Sequence, residues 1–482
     1  MSSTIPFMDA TSLSRAIHAR EISCTEVMAA YLDRIEALNP QVNAIVSLRP
    51  REALMREAAE RDADLAQGRS HGWMHGFPQA IKDLAATKGL VTTHGSPLFK
   101  DAVPDEDAIF VARMRAGGAI FVGKTNTPEF GLGSQTHNPV FGATRNAYDH
   151  TRTAGGSSGG AAAALAMRLL PVADGSDHAG SLRNPAAFNN VLGLRPSFGR
   201  VPGNTDEVFI PQMGVNGPMA RNVPDLAGLL SVQAGYDPRV PLSLREDPAC
   251  FLEPLARDFK GVRVGWLGDL DGHLPMESGI LDLCAASLPV FETIGCTVEA
   301  IAPGYDMEAV WQAWKALRHW QVGATLSVHY HDPAKRALLK PEVIYEIEGG
   351  LKLKAFDISE ASKARSAWYQ HVAKLFETYD YLLLPSAQVF PFPVETIWPR
   401  EIAGRAMDSY HRWMEVVIPV TMSGCPAISV PVGFDGRGLP MGLQIWGPNQ
   451  SEFALLQIAK AYEDATDWST RVPAGAESLR RD

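Results

Sequence analysis

The run Gly155-Gly156-Ser157-Ser158-Gly159-Gly160, leading straight into Ala161-Ala-Ala-Ala-Leu-Ala166, constrains this chain more than any other stretch. Glycines permit backbone shapes that a β-carbon forbids. Two adjacent serines at the mouth of an alanine-rich helix put hydroxyls on a sharply bent main chain. A flexible Gly/Ser loop ending in a helix cap would use the same residues, so this stretch alone leaves both readings open.

The surrounding pattern fixes the fold class. From Phe77 to about Arg200, short apolar runs alternate with helical patterns: strand-like Gln79–Asp83, helical Asp107–Arg115, strand-like Ala119–Val122, helical Gly160–Leu170 and strand-like Leu192–Leu194. This alternation predicts an α/β sheet with helices packed on it. Upstream, Ser23-Cys-Thr-Glu26 reads as a capping box opening a helix that Asn39-Pro40 stops. A polar helix follows from Arg51 to Gln67. Downstream, Val262–Trp266, Cys296–Val298, Tyr381–Leu384, Pro426–Pro431 and Met441–Ile445 read as strands, and Ile280–Phe291 as a helix. Residues 305–378 read as long helices, and Ser451 caps a closing helix that runs to Ala465. At roughly 150 residues per domain, 482 residues would suggest about three domains. There is no repeat, low-complexity tract or long linker, so one large α/β domain over 1–482, a central mixed sheet surrounded by helices, is the expectation.

Composition removes several function classes. Apolar residues make up 46% and charged residues 20%, enough for a large core and too few charges for a disordered chain. Lys+Arg is 44 against 54 Asp+Glu, a net charge of −10, which argues against a nucleic-acid partner. The longest apolar run, Ala161–Met167, is stopped by Arg168, so no membrane helix is expected. No secretion signal is visible at Met1-Ser-Ser-Thr-Ile-Pro-Phe7. The five cysteines are odd in number and scattered, without CxxC. They make neither a disulfide framework nor a zinc site and fit the cytoplasm.

Two motifs are decoys. Gly118-Ala-Ile-Phe-Val-Gly123-Lys124-Thr125 matches the phosphate-loop pattern, but a helix precedes Gly118 and the four intervening residues are themselves strand-like. Lys124 is therefore expected to be structural. His329-Tyr-His331-Asp332 imitates a metal cluster, yet no second ligand group is evident, and surface histidines in a loop are expected.

Two further pieces carry chemistry. In Asp177-His178-Ala179-Gly180-Ser181-Leu182-Arg183-Asn184-Pro185-Ala186, a serine follows small residues where backbone N–H groups can converge on an oxyanion. Arg183 lies close enough to Asp177 to pair with it. Lys82, in Ala80-Ile-Lys-Asp83, sits at a strand end. Taken alone, it reads equally as a surface cation paired with Asp83.

Together these pieces resemble the amidase signature family. The GGSSGG motif is followed, 181 − 157 = 24 residues on, by the Gly180-Ser-Leu-Arg-Asn-Pro-Ala186 motif, with the Lys-Asp motif upstream. Gly123–Phe130, Gly193–Pro202, Gly217-Pro218-Met219, Pro426–Pro431 and Gly438–Gln444 are further landmarks in order. The resemblance runs from about residue 8 to 467, with a signature core at about 75–220 and a divergent, substrate-pocket region at about 240–420. It implies a Ser–Ser–Lys triad. Ser181 would be the nucleophile. Ser157, after a cis peptide, would relay the proton, and Lys82, neutral through a lowered pKa, would be the general base. The N–H groups of His178, Ala179, Gly180 and Ser181 would form the oxyanion hole, with Ser158, Asp177 and Arg183 in support. No metal or organic cofactor is implied; a small-molecule amide is the expected partner, and a homodimer stays open.

One departure stands out. The family usually has Thr or Ile and two glycines before the nucleophile, where this chain has His178-Ala179-Gly180. Ala179 keeps its N–H but would be strained by about 1–2 kcal/mol if the position required positive φ. His178 would either touch the acyl group or have no contact with substrate. Six of the ten tryptophans (Trp311, Trp314, Trp320, Trp368, Trp398, Trp413) fall between 301 and 420, as pocket walls or as core. Linear, aryl, peptide and cyclic amides remain open. Three functions follow: a stand-alone amidase, the glutaminase-type component of a tRNA-dependent amidotransferase, or a non-catalytic protein on the same fold.

Overall fold

The computed structural model describes residues 4–203, 207–210 and 212–477. The apolar runs pair into an eight-stranded mixed sheet in the order 297–300, 263–266, 381–385, 440–446, 427–434, 192–195, 215–220, 173–177. The first three strands pair in parallel, and every later pairing is antiparallel. Its middle strands are buried along their length, which is why Tyr381-Leu-Leu-Leu-Pro385 is continuously apolar rather than alternating. The helices Arg183–Phe188, Val223–Gln233, Ile280–Ala285 and Glu452–Asp464 pack against it.

A second, three-stranded sheet is ordered 45–46, 120–125, 78–82. It meets the large sheet where the Lys82 backbone N–H donates to the buried Asp174 carboxylate at 3.2 Å. Between the sheets runs the wholly buried helix Gly159–Ala166. Its small residues are a packing requirement: a β-carbon on Gly160 would stand 2.3 Å from the Asn126 nitrogen and 2.7 Å from the Ala44 oxygen. Among the described residues, no helix is long and apolar enough to cross a membrane.

Several local expectations need correction. The capping box at Ser23 is present, but the helix passes through Pro40 to Val42 and ends at Asn43 with φ 51°. So near the C-terminus Pro40 deletes only one ladder bond. The Asn39 carboxamide oxygen then collects the Ala44 and Ile45 N–H groups beyond the end. The alanine helix stops at Ala166, before the left-handed Arg168. Residues 280–291 form two short helices, Ile280–Ala285 and Leu288–Thr293, rather than one. Ser451 precedes its helix without capping it; its hydroxyl donates to the Pro448 carbonyl. His329 lies inside the helix Met307–Tyr330 rather than in a loop, whereas His331, exposed, and Asp332, which caps the next helix, form the connection between the two. Lys124 is in the strand 120–125, and its ammonium ties down the Ala85 carbonyl and the Thr87 hydroxyl.

Candidate active site

The strand 78–82 delivers Lys82 into the space between the two sheets, where it is 1% exposed. It does not pair with Asp83, whose carboxylate instead accepts from the Thr93 N–H and hydroxyl. Lys82 Nζ lies 2.8 Å from Ser157 Oγ, 2.8 Å from Ser158 Oγ and 2.9 Å from Ser176 Oγ. Three hydroxyls suit a neutral amine, which donates twice and accepts once. Burial is the main cause that lowers the lysine pKa, and the charges of Asp174 and Asp177 oppose it without restoring it; the result is about 7. Ser157 follows a cis Gly156–Ser157 peptide.

Ser181 stands in the turn between the edge strand 173–177 and the helix Arg183–Phe188. Asp177 organises that turn. Its carboxylate accepts from the Gly180 and Leu182 N–H groups at 3.0 and 3.1 Å. It also pairs with Arg183 and Arg195, both at 3.0 Å, and all three side chains are fully buried. These guanidiniums hold the Asp177 carboxyl well below the usual range, although burial pushes the other way. The Arg183–Asp177 contact expected from spacing is thus present, with Arg195 as an unexpected second partner.

The Gly180 N–H, expected to face an oxyanion, donates to the Asp177 carboxylate. The N–H groups of His178, Ala179 and Ser181 have no partner among the described residues. The left-handed residue is Gly180, with φ 83°, and Ala179 is not among the positive-φ residues, so the Ala179 departure carries no such strain. A β-carbon on Gly180 would lie 2.6 Å from a Val417 methyl. Gly180→Ala is expected to cost about 2–4 kcal/mol from strain plus overpacking, measured by urea unfolding, with most activity lost. A variant as stable and active as the parent would contradict this account of the turn.

Ser157, Ser176, His178 and Ser181 line one cavity of about 470 Å³. No hydrogen bond joins Ser157 to Ser181 among the described residues, although both line the cavity. Its wall includes Leu84, Phe130, Phe198, Val215, Val322 and Leu326, together with the polar Asn216, Arg318 and Gln321. His178 is half-buried, and burial holds its pKa well below the ordinary value, so the imidazole is neutral. None of the six tryptophans lines this cavity. Trp311, Trp314, Trp368 and Trp413 are fully buried core, and Trp320 and Trp398 are partly buried.

Three residues escaped the sequence reading. Ser176 completes the hydroxyl cage of Lys82, Asp174 holds the backbone of Lys82, and Arg195 shares Asp177. The strand Ala173-Asp-Gly-Ser-Asp177 did carry a signal: its polar residues lie in a strand with no solvent-facing reason to be polar. Away from this site, His273, Glu308 and Glu415 bring metal-ligand atoms within 4.8 Å of one another. Arg412 already pairs with both of these carboxylates, at 2.7 and 3.0 Å, so the cluster holds a resident cation.

The mixed sheet, the buried lysine among hydroxyls and the Asp177 turn belong to a hydrolase on an α/β scaffold. The amidase family pattern matches residues 26–456, and the chain belongs to the amidase signature family of hydrolases. It is 33% identical to an acylamidase from Rhodococcus erythropolis, over 97% of each chain. It is 34% identical to the GatA-type component of the glutamyl-tRNA(Gln) amidotransferase from Thermosynechococcus vestitus, over 96% of this chain and 98% of that one. A solved bacterial aryl acylamidase of the amidase signature family superposes with a TM-score of 0.90 at 29% identity, covering 98% of this chain and 99% of the other.

Proposed function

We propose that this protein hydrolyses an apolar carboxylic amide through an acyl-enzyme on Ser181. The observation that carries the reading is Lys82: a buried amine with no carboxylate partner among the described residues, 2.8 Å from the Ser157 hydroxyl. Ser181 Oγ bonds to the amide carbon as its proton passes to Ser157, whose own proton passes to neutral Lys82. The two serine hydroxyls meet by side-chain rotation into the cavity they share. The carbonyl oxygen becomes an oxyanion facing the N–H groups of His178, Ala179 and Ser181. Two guanidiniums against one carboxylate beneath the turn add a favourable field. Collapse breaks the C–N bond, and the proton returns through Ser157 to the leaving amine. Water then attacks the ester, releasing the acid and restoring Ser181.

The base works only when uncharged, so kcat/KM should rise about tenfold per pH unit below about 7 and level off above it. A flat profile through that range would remove Lys82 as the base.

The apolar walls and the acylamidase relative favour aryl or alkyl amides. The amidotransferase relative supports a second reading, with glutamine as substrate. An amide panel that includes glutamine, with products identified by mass spectrometry, separates the two. Run on His178→Thr, the same panel is expected to change selectivity among acyl groups several-fold. Unchanged kcat/KM on every amide would mean His178 does not touch substrate.

A further inference from the structure

Phe198 also lines a second cavity of about 570 Å³, which Ser181 does not line. One residue, Phe198, thus stands in a wall common to both cavities. Arg365 is the one charged residue lining the second cavity among the described residues. Its Nε donates to the Met422 carbonyl and its Nη2 to the Gln212 carbonyl, both at 3.0 Å. Those bonds fix the guanidinium and use two of its five N–H groups, leaving three without a partner among the described residues. No carboxylate pairs with it among the described residues, whereas Arg183, Arg195, Arg200 and Arg318 each have one. Around it stand uncharged hydrogen-bonding groups, Ser362, Ser366, Gln370 and Gln450, and apolar surface from Leu242 and Phe198.

We infer that this cavity is a second, non-catalytic binding site for a monocarboxylate with an apolar body. A fixed guanidinium fork matches a carboxylate bidentately. With a single cation in the wall, one negative charge is neutralised, whereas a phosphate dianion would leave charge uncompensated in a partly desolvated space. Leu242 and Phe198 provide the surface for the apolar body. An amidohydrolase acting on apolar amides releases acids of this class, so the site would sense product through the wall it shares with the catalytic cavity. That last step rests on the proposed function; the binding itself does not.

The test is calorimetric titration of benzoate and, separately, inorganic phosphate into the full-length wild-type, Arg365→Met, Ser366→Asp and Ser181→Ala proteins. Ser366→Asp keeps Arg365 and its two carbonyl contacts but supplies an internal carboxylate, so it serves if the methionine variant folds poorly. Benzoate should bind wild type and Ser181→Ala alike, bind Arg365→Met and Ser366→Asp about tenfold more weakly or worse, and outcompete phosphate. Hydrolysis by Ser366→Asp should stay within about twofold of wild type, as expected for a site outside the catalytic machinery. Benzoate affinity that is equal in wild type and Ser366→Asp, absent from wild type, or lower than that of phosphate would overturn the inference. Binding lost only in Ser181→Ala would place the benzoate in the catalytic cavity and equally overturn it.

Discussion

Ser181→Ala and Lys82→Met are each expected to lower kcat/KM about 10⁴-fold or more, and the double variant to be little worse than either. Such non-additivity follows from a relay: once the base or the nucleophile is gone, the remaining partner has no proton to move. Ser181→Ala should unfold like wild type, since its hydroxyl makes no hydrogen bond among the described residues. Lys82→Met should behave differently. The folded pKa of about 7 lies below the free value near 10.4. Below pH 7 both states are protonated, and burying the charge costs wild type in full. Between about 7 and 10 the unfolded chain binds more protons at this residue, so wild-type stability rises with pH relative to Lys82→Met. A stability difference that is constant over that range would mean the lysine is not desolvated as described.

Asp177→Asn should be the most destabilising polar substitution at the site, by about 3–5 kcal/mol. The amide keeps the shape but strands two fully buried guanidiniums with no counter-charge. It also weakens the acceptor for the Gly180 and Leu182 N–H groups, so the turn carrying Ser181 loosens and activity falls with stability. The carboxyl is depressed in the folded state, so its contribution is fully present above the ordinary value near 3.9 and fades as pH drops below it. The gap between variant and wild type should therefore narrow in acid. A loss under about 1 kcal/mol at neutral pH would show the ion pairs to be dispensable.

Both results depend on contacts that the sequence disclosed unevenly. The α/β class was legible because strand periodicity and helix caps are local: Ser23 caps its helix as its spacing predicts. Lys82, Ser157 and Ser181 could be singled out because their motifs are dense in glycine and small residues. Ser176 was not, since the polar residues of 173–177 point to a buried partner only once the segment is known to be a strand, and that partner, Lys82, arrives from another sheet, 94 residues away in sequence. Arg195 reaches Asp177 only after the sheet folds back through the strands 192–195 and 215–220. The Gly180 contact was hidden for the same reason: which N–H groups of the turn are spent depends on where the Asp177 carboxylate points. The tryptophans of 301–420 lie at helical spacing, and tertiary packing placed most of them in the core.

The proposed mechanism requires neutral Lys82, acting through Ser157, to activate Ser181. Peptide mapping of protein labelled with a fluorophosphonate, at a series of pH values, tests it most directly. A single adduct on Ser181 is expected, forming faster as pH rises through about 7, and scarcely forming in Lys82→Met. An adduct on another residue, or labelling of Ser181 at the same rate in Lys82→Met, would contradict it.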